Sequence, residues 1–543
     1  MNALHCLSVP CALLSVFTVP ALARQALWIR QDGSAAYDGV QVATQDGIGG
    51  VYVGGATQGN FGGASAGEDD AWLARFDASG QRLWLAQFGS SRSEWLSSGA
   101  ADGTNGVFVG GSTRGSLGAP NADPSETTLD PWLAYYTSAG TRTWISQWGT
   151  AASDQLLGVV SDDGGGAFLG GMTFGDLSAA NLGGADAWLA RCDAAGHLMW
   201  SVQFGTSGLD ATLAVASDDS GGVFAGGSES GSSSGFERAW LARFSGSGQQ
   251  LWKFQVPAAG LSQRISAALS DGFGDVYVLG HTDTFPPYAG HGWVARYDSV
   301  GALAWTRVVG NHIPSSAFTR DAQQRVYVGG AGGQLARFDS AGQLDWQLDL
   351  VGASESIGRA APSRPGAVFI AGTTYSDLAA SNAGDGDAWV ARVDPDIAAG
   401  FCTSSVTTLG CRPVVRGFGR PSASASSAFV IAVESVEGER LGLCFYGIDN
   451  SGFTPRPWSA GSSSFLCVRA PHQRLAIQSS GGTAQLCDGA LALDWNAFVS
   501  VTPGALGQPF GAGQSVFVQG WFRDAAAPRG SNLSNGLWFE LQP

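Results

Sequence analysis

The chain has 543 residues, of which 14% are charged, and its formal net charge is −16. Lys253 is its only lysine, and binding to nucleic acid or to an anionic membrane surface needs clustered Lys and Arg, so both partners are excluded. The 80 glycines beside 19 tryptophans and 28 phenylalanines predict short strands joined by tight turns, because a disordered chain is poor in aromatic residues.

Residues 1–23 are typical of a secretory signal peptide, because an apolar stretch ends in Ala21–Ala23, a small-x-small site for signal peptidase. The segment before the apolar stretch lacks the usual Lys or Arg. A membrane anchor is the alternative, but Pro10 and Pro20 interrupt an apolar run of only about 18 residues. A lipoprotein site at Cys11 would need a small residue directly before it, where Pro10 stands. We therefore predict a secreted or cell-surface protein without a membrane span.

Three phrases recur seven times between Leu27 and Asp394, which indicates a repeat architecture. One of them, Asp-Ala-Trp-Leu-Ala-Arg-Phe-Asp, is intact at Asp70–Asp77; the others are Leu-Trp-x-x-Gln-Phe-Gly and Val-Phe-Val-Gly-Gly. A less regular strand-like segment precedes Val-Phe-Val-Gly-Gly in each unit, so each unit holds four predicted strands. They are a (the less regular segment), b (Val-Phe-Val-Gly-Gly), c (Ala-Trp-Leu-Ala-Arg-Phe-Asp) and d (Leu-Trp-x-x-Gln). The tryptophans predicted to be structural are Trp72, Trp132, Trp188, Trp240, Trp293 and Trp389 in strand c, and Trp28, Trp84, Trp144, Trp200, Trp252, Trp305 and Trp346 in strand d.

The alternation of side chains predicts how these sheets pack. In strand c, Trp72 and Phe76 point to one face and Leu73 to the other, so both faces carry bulk, and stacking the sheets around an axis buries both. The first phrase of the chain is a d strand, 27–31, whereas the last unit has none, so the N-terminal strand closes the ring. The sequence predicts an all-β chain, with a seven-bladed β-propeller over residues 24–398, its last blade closed by the N-terminal strand, followed by a small β-sandwich-like domain.

These phrases resemble the SBBP-type β-propeller repeats of bacterial secreted proteins, and the resemblance covers residues 27–394. It implies the propeller fold and little about function, since propellers host many functions. The sixth unit departs from the pattern, because its b-to-c link is almost absent and Leu335 is aligned with the tryptophan of strand c.

Cysteines accumulate in the last region, residues 401–543. In an exported chain such a cluster predicts disulfides. We expect pairing between sequence neighbours, Cys402–Cys411 and Cys467–Cys487, which leaves the roles of Cys444 and Cys192 open. A zinc site is the rival interpretation, but the region has no Cys-x-x-Cys and only one histidine, His472.

Alternating, turn-rich segments such as 429–433, 515–522 and 536–541 predict a β-sandwich of about 140 residues in this region. The phrases at Cys402-Thr403, 409–411, 465–468 and 519–524 are similar to a C-terminal domain of bacterial secreted proteins. That resemblance implies export and no activity.

No set of residues predicts a catalytic, cofactor or metal site. The acid that opens strand c, such as Asp70, recurs in four blades, and a group used so often is a turn or capping device. The strand c arginine, such as Arg75, recurs six times and is expected to bond between blades. The Asp-Gly turns lack the alternating spacing of a calcium loop. His281 and His291 share one link, where a metal pair is the less favoured interpretation.

The leading hypothesis is a secreted or cell-surface binding or scaffold protein, without a cofactor, for an extracellular ligand such as a polysaccharide or a protein. The alternatives are a carbohydrate-active hydrolase or lyase on a propeller and a structural surface component. We place binding on the face of the long b-to-c links, because function concentrates on long links held by a rigid scaffold. These links are 56–69, 112–129, 172–185 and 373–386, and Ser112–Leu129 is the longest.

Overall fold

The computed structural model describes residues 26–541 except 104–105, 232–235, 258–261, 284–289, 312–316, 331–332, 350–356, 364–366, 394–397, 403–404, 420, 423, 425–428, 452, 461 and 512. The predicted signal peptide therefore lies outside the described residues. Strands dominate the described part, which contains one α-helix, and no helix there is long and apolar enough to cross a membrane. The all-β prediction is confirmed.

Seven four-stranded antiparallel sheets, here called blades 1–7, form among the described residues. Blades 1 to 3 are β2 (Asp38–Gln45), β3 (Val51–Thr57), β4 (Asp70–Phe76), β5 (Arg82–Phe88); β6 (Glu94–Ala101), β7 (Gly106–Thr113), β8 (Asp130–Thr137), β9 (Arg142–Gln147); and β10 (Asp154–Ser161), β11 (Ala167–Thr173), β12 (Asp186–Cys192), β13 (Leu198–Phe204). Blades 4 to 6 are β14 (Asp210–Ser217), β15 (Val223–Glu229), β16 (Arg238–Phe244), β17 (Gln250–Gln255); β18 (Ser262–Ser270), β19 (Val276–Asp283), β20 (His291–Tyr297), β21 (Leu303–Asn311); and β22 (Phe318–Arg320), β23 (Val326–Gly329), β24 (Gln334–Phe338), β25 (Leu344–Asp349). Blade 7 combines β26 (Arg359–Pro362), β27 (Val368–Thr374) and β28 (Asp387–Val393) with β1 (Ala26–Asp32).

The blades form a closed ring. Strands a of successive blades contact one another all the way round, from β2 and β6 through to β26 and back to β2, so strand a is innermost. The N-terminal β1 pairs antiparallel with β28, with Trp28 opposite Arg392 and Gln31 opposite Trp389. This is the strand d position of blade 7, so the predicted propeller and its closure by the N-terminal strand are confirmed.

The core lies between neighbouring blades, as the bulk on both faces of strand c predicted. One apolar cluster joins Val51 and Trp72 of blade 1 to Phe369 and Val390 of blade 7, and similar clusters lie between the other blades. The strand c tryptophans are at most 6% exposed, and each packs between its own blade and the preceding blade. They are Trp72, Trp132, Trp188, Trp240, Trp293 and Trp389.

The strand d tryptophans connect blades in a second way. Among the described side chains, the indole N–H of six of these tryptophans donates to a backbone carbonyl in the c-to-d turn of the next blade; Trp84, for example, reaches Ser138 O at 2.9 Å. The same bond closes the ring, since Trp28 of blade 7 donates to Ala78 O of blade 1 at 2.9 Å. The other donors of this type are Trp144, Trp200, Trp252 and Trp305.

Blade 6 corrects one sequence alignment. Leu335 pairs with Gly329 as Leu73 pairs with Gly54, so Leu335 occupies the leucine position of strand c rather than the tryptophan position. Gln334 takes the tryptophan position instead. The alignment was wrong because it matched the missing tryptophan to the next large apolar residue, although Leu335–Asp339 repeats Leu73–Asp77. A shift of one residue moves a side chain to the opposite face of a strand.

The C-terminal region forms a sandwich, as predicted. A six-stranded and a three-stranded sheet share one core that includes Ile431, Tyr446, Val518 and Phe539. The six-stranded sheet contains β29 (Ala398–Phe401), β32 (Leu441–Gly447), β35 (Gln473–Arg474), β36 (Gln478–Ser479), β38 (Ser515–Arg523) and β39 (Ser531–Glu540). The three-stranded sheet contains β30 (Val414–Gly419), β31 (Phe429–Val436) and β37 (Gly489–Asp494); β33 (Arg456–Pro457), β34 (Phe465–Leu466) and α1 (Trp495–Val501) complete the region.

The two disulfides join Cys402 to Cys467 and Cys411 to Cys487. The four predicted cysteines are the ones used, but the expected pairing of sequence neighbours is wrong. The bridges span 65 and 76 residues, because the sheets place distant segments side by side and loop-closure entropy rises only slowly with loop length. Cys444 and Cys192 are free and buried, and burial raises the thiol pKa to about 12 for Cys444 and about 11 for Cys192.

Candidate functional site

A central cavity of about 710 Å³ is enclosed by strands a of all seven blades. Its walls are the C-terminal halves of these strands and the a-to-b turns that follow them, for example 41–47 in blade 1 and 157–163 in blade 3. Because strand a ends at the short a-to-b turn, the cavity opens on the face of the short turns. The long b-to-c links lie on the opposite face.

A β-bulge at the same place in five of the inner strands shapes the inner end of the cavity. In β2 the register shifts between Val40 and Val42, so Gln41 leaves the ladder. A bulge turns the extra residue out of the regular pairing and bends the strand. The corresponding residues that line the cavity are Gln41, Ser97, Leu157, Leu213 and Ser266.

Arg359 lies at the same level of the cavity as these bulges. It pairs with Ala371, directly before Gly372, as Ala267 pairs with Leu279 before Gly280. Its guanidinium donates to Gly358 O at 2.7 Å and to Gln41 O of blade 1. Burial lowers the pKa of Arg359 to about 10, which still leaves the group charged at neutral pH.

Arg320 is the second cationic group of the cavity wall. Along the strand direction it lies about three residues, or roughly 10 Å, nearer the opening than Arg359. Its Nε donates to Ser270 O of blade 5. Among the described residues, neither Arg320 nor Arg359 forms an ion pair with a carboxylate. In a chain of net charge −16, the wall therefore presents two guanidinium groups that pair with no carboxylate of the described residues.

Acidic side chains occur at the rim. Asp163 accepts a hydrogen bond from Ser217 Oγ at 3.2 Å, and Asp219 accepts from Ser270 Oγ and from Gly274 N at 3.1 Å. Each of these two aspartates thus reaches from its own a-to-b turn to the next blade. The cavity is therefore cationic at its inner end and of mixed charge at its opening.

The recurring arginine of strand c bonds between blades, as predicted. Arg75 forms an ion pair with Asp46 of its own a-to-b turn at 2.9 Å and donates to Ser138 O of the next blade at 2.7 Å. Its guanidinium also lies over the ring of Tyr52. Arg191 and Arg243 repeat both contacts. These arginines hold blades together and do not face the cavity.

The acid that opens strand c fastens the long links, as predicted for a capping group. Asp70 accepts from Ala66 N at 2.9 Å and from Gln87 Nε2 at 2.7 Å, while Gln87 Oε1 accepts from the backbone N–H of Phe61 and Gly62. The same network recurs at Asp130, Asp186 and Asp387. The long links are therefore ordered parts of the blades, and the placement of binding on Ser112–Leu129 stays a prediction.

The histidine pair does not gather further ligands. His281 hydrogen-bonds Asp283 at 2.8 Å, and His291 opens the neighbouring strand opposite Thr282. Within the described ranges, no three His, Cys, Asp or Glu side chains converge on one point. The sequence analysis did not identify Arg320 and Arg359 as candidate site residues. The signal for Arg359 was an arginine in strand a at a position where other blades carry small or apolar residues such as Val42 and Ala267; Arg320 gave no such signal, since Gln45 is its equivalent in blade 1.

Comparisons with known proteins concern the fold. The family described as outer membrane protein assembly factor BamB matches residues 237–488, less than half of the chain, and no curated protein matches. The Dos1 propeller shares 13% identity over 65% of this chain and 77% of that chain, with a TM-score of 0.38. BamB from Moraxella catarrhalis shares 12% identity over 67% of this chain and 97% of that chain, with a TM-score of 0.32.

Similarities with TM-scores this low carry no argument, and the propeller itself rests on the sheet order and the closed ring of inner strands. The SBBP type of the repeat stays a resemblance. This chain is therefore a β-propeller joined to a disulfide-bonded β-sandwich, and residues 237–488 are similar to the BamB family.

Proposed function

We propose that this chain is a secreted or cell-surface propeller of SBBP type, a scaffold that binds an anionic group of an extracellular ligand in its central cavity. Acidic polysaccharides and acidic segments of proteins carry such groups. The two disulfides are consistent with an oxidising compartment outside the cytosol.

The observation that carries this proposal is Arg359 at the inner end of the cavity. Its guanidinium is partly buried and charged, and it has no carboxylate partner among the described residues. Burying a charge is costly unless the charge is both paired with a counter-charge and hydrogen-bonded, and the two backbone carbonyls supply only the hydrogen bonds. A bound anion would complete the compensation, and Arg320 would meet the same ligand nearer the opening.

A glycan array that contains sulfated and uronate oligosaccharides beside neutral ones tests the class of ligand. Binding to the acidic sugars, measured again by calorimetry, should weaken about tenfold or more in Arg359→Gln, because a charge-assisted hydrogen bond is lost. Arg82→Gln is the matched control, since Arg82 is exposed and pairs with Asp32 on the outer strand. Equal loss in both variants would argue against the cavity.

The same sugars, incubated with the protein and assayed for reducing ends, test the alternative of a carbohydrate-active enzyme. Shortening Ser112–Leu129 to a tight turn tests the opposite face. We expect binding to survive that change. If the variant with the shortened link loses binding while Arg359→Gln still binds, the binding site lies on the long links and not in the cavity.

A further inference from the structure

Four pairs of acidic side chains lie where one blade meets the next, on the face of the long links. In each pair, the acid that opens strand c of one blade is beside the acid that opens strand a of the following blade. A backbone bond holds each pair together; for example, Glu94 N donates to Asp69 O at 2.8 Å. The acid pairs are Asp387 with Asp38, Asp70 with Glu94, Asp130 with Asp154, and Asp186 with Asp210.

The two carboxylates of a pair face the same small space above a glycine. A Cβ placed on Gly89 would lie 2.1 Å from Asp70 Oδ1 and 2.7 Å from Glu94 Oε2. One on Gly205 would lie 2.4 Å from Asp186 Oδ1 and 2.8 Å from Asp210 Oδ2. A larger residue would therefore collide with both acids. Gly149 and Gly33 occupy the same position at the other two pairs.

One oxygen in three of the pairs has no partner. The side chains of Asp70, Asp130 and Asp186 are at most 1% exposed, and the Oδ1 atom of each accepts no hydrogen bond among the described residues. Their Oδ2 atoms, in contrast, accept two bonds each. A buried carboxylate oxygen without a partner is costly, and here each points at a second acid.

The surroundings of the acid pairs suit two ionised carboxylates. The Glu94 carboxylate accepts three hydrogen bonds, as an ionised carboxylate can: from Ser90 N and Ser90 Oγ at 2.6 Å each and from Thr113 Oγ1 at 2.7 Å. Within the described part of the chain, none of the eight acids forms an ion pair. Two buried like charges are stable together only when a positive charge joins them.

The next junction shows that the two acids occur as a unit. Between blades 4 and 5, Gln263 N donates to Glu237 O at 2.9 Å, so the backbone arrangement is the same. Arg238 stands at the strand c position there, opposite Glu229, and Gln263 stands at the strand a position, opposite Thr282. Both acids are therefore replaced together, as expected if neither serves its purpose without the other.

We infer that each acid pair binds a hard divalent cation of the Ca²⁺ class, which ties strand c of one blade to strand a of the next. Calcium prefers about six to eight oxygen ligands, of which each pair supplies the charged ones. Glu229 also lies near the Asp186–Asp210 pair, but it is already neutralised by Lys253 at 2.7 Å. The inference is independent of the proposed ligand in the central cavity.

A calcium titration of the whole protein tests this inference, with NaCl at equal ionic strength as the reference. We expect saturable uptake of four Ca²⁺ per chain by calorimetry and a rise in Tm of about 5 °C or more relative to protein in EDTA, because a ligand of the folded state stabilises it. No saturable uptake and no rise in Tm would overturn the inference without any variant.

Two variants locate the ions. Asp130→Asn with Asp154→Asn should lower the stoichiometry to three, whereas Asp123→Asn, an exposed acid of the same blade, should leave it at four. Arg238→Asp with Gln263→Asp should install a fifth site. If calcium leaves Tm unchanged but Tm rises as the pH falls from 8 to 5, the two acids of each pair share a proton and the inference is wrong. A carboxylate whose pKa is raised in the folded state stabilises the fold at low pH.

Discussion

An indole packed on a glycine of the next blade recurs at most of the described blade junctions. Gly140 has φ of 84°, and a Cβ there would lie 2.8 Å from the Trp84 ring, whereas Gly103 has φ of 75° with nothing within 4 Å. Positive φ disfavours any L side chain, so both positions carry the backbone cost, but only Gly140 adds a steric one.

Gly140→Ala should therefore destabilise the protein by clearly more than Gly103→Ala, for which about 1–2 kcal/mol is expected from backbone strain alone. Denaturant unfolding of the two variants measures the difference. Equal losses would mean that the Trp84 contact contributes nothing beyond turn geometry.

The tryptophan position of strand c separates regular blades from blade 6. Trp188 is fully buried, whereas Gln334, at the equivalent position, is exposed. Trp188→Ala should cost about 3–5 kcal/mol, as for a large core truncation, and Gln334→Ala should stay within about 0.5 kcal/mol. Chemical denaturation followed by tryptophan fluorescence distinguishes them. A large loss at Gln334 would contradict the corrected register of blade 6.

At the scale of elements, β1 carries the closure of the ring. It contributes Trp28, which donates to Ala78 O, and Gln31, which donates to Asp387 Oδ2 at 2.9 Å. Without β1, the strand β28 would expose an unpaired edge and blade 7 would lose its outer strand.

Deleting residues 24–34 should cause aggregation or abolish cooperative unfolding, because blade 7 loses its outer strand and β28 is left with an unpaired edge. Light scattering and calorimetry measure the outcome, and a chain that lacks only residues 1–23 is the control. Parent-like melting of the shorter chain would show that the ring does not need its N-terminal strand.

Two strands, β1 and β24, show which features of the fold could be predicted from sequence patterns. The order of the phrases was enough to predict that β1 completes blade 7, because each phrase is specific for one strand. The alignment of β24 was wrong at Leu335, because the missing tryptophan was matched to the next apolar side chain although Leu335–Asp339 repeats Leu73–Asp77. The pairing with β23 shows the register that this repeated phrase indicates.

At the scale of the whole molecule, the disulfides lie only in the C-terminal region among the described residues. Loops of 65 and 76 residues correspond to roughly 4 kcal/mol each in the chain-entropy model. Reduction should therefore weaken protection of β31 and β38 against hydrogen exchange while β11 and β12 of blade 3 keep theirs. Mass spectrometry before and after dithiothreitol measures this, and uniform loss of protection would refute it.

The amino-acid sequence by itself determined the repeat, the four strands of each blade and the closure of the ring, because these follow from local phrases and their order. Tertiary structure alone decided the partners of Cys402 and Cys411, the face on which the cavity opens, and the meeting of Asp70 with Glu94. Each of these depends on contacts between segments from different blades or sheets. Such contacts leave no periodicity in the chain, since they arise only when the ring and the sandwich have closed.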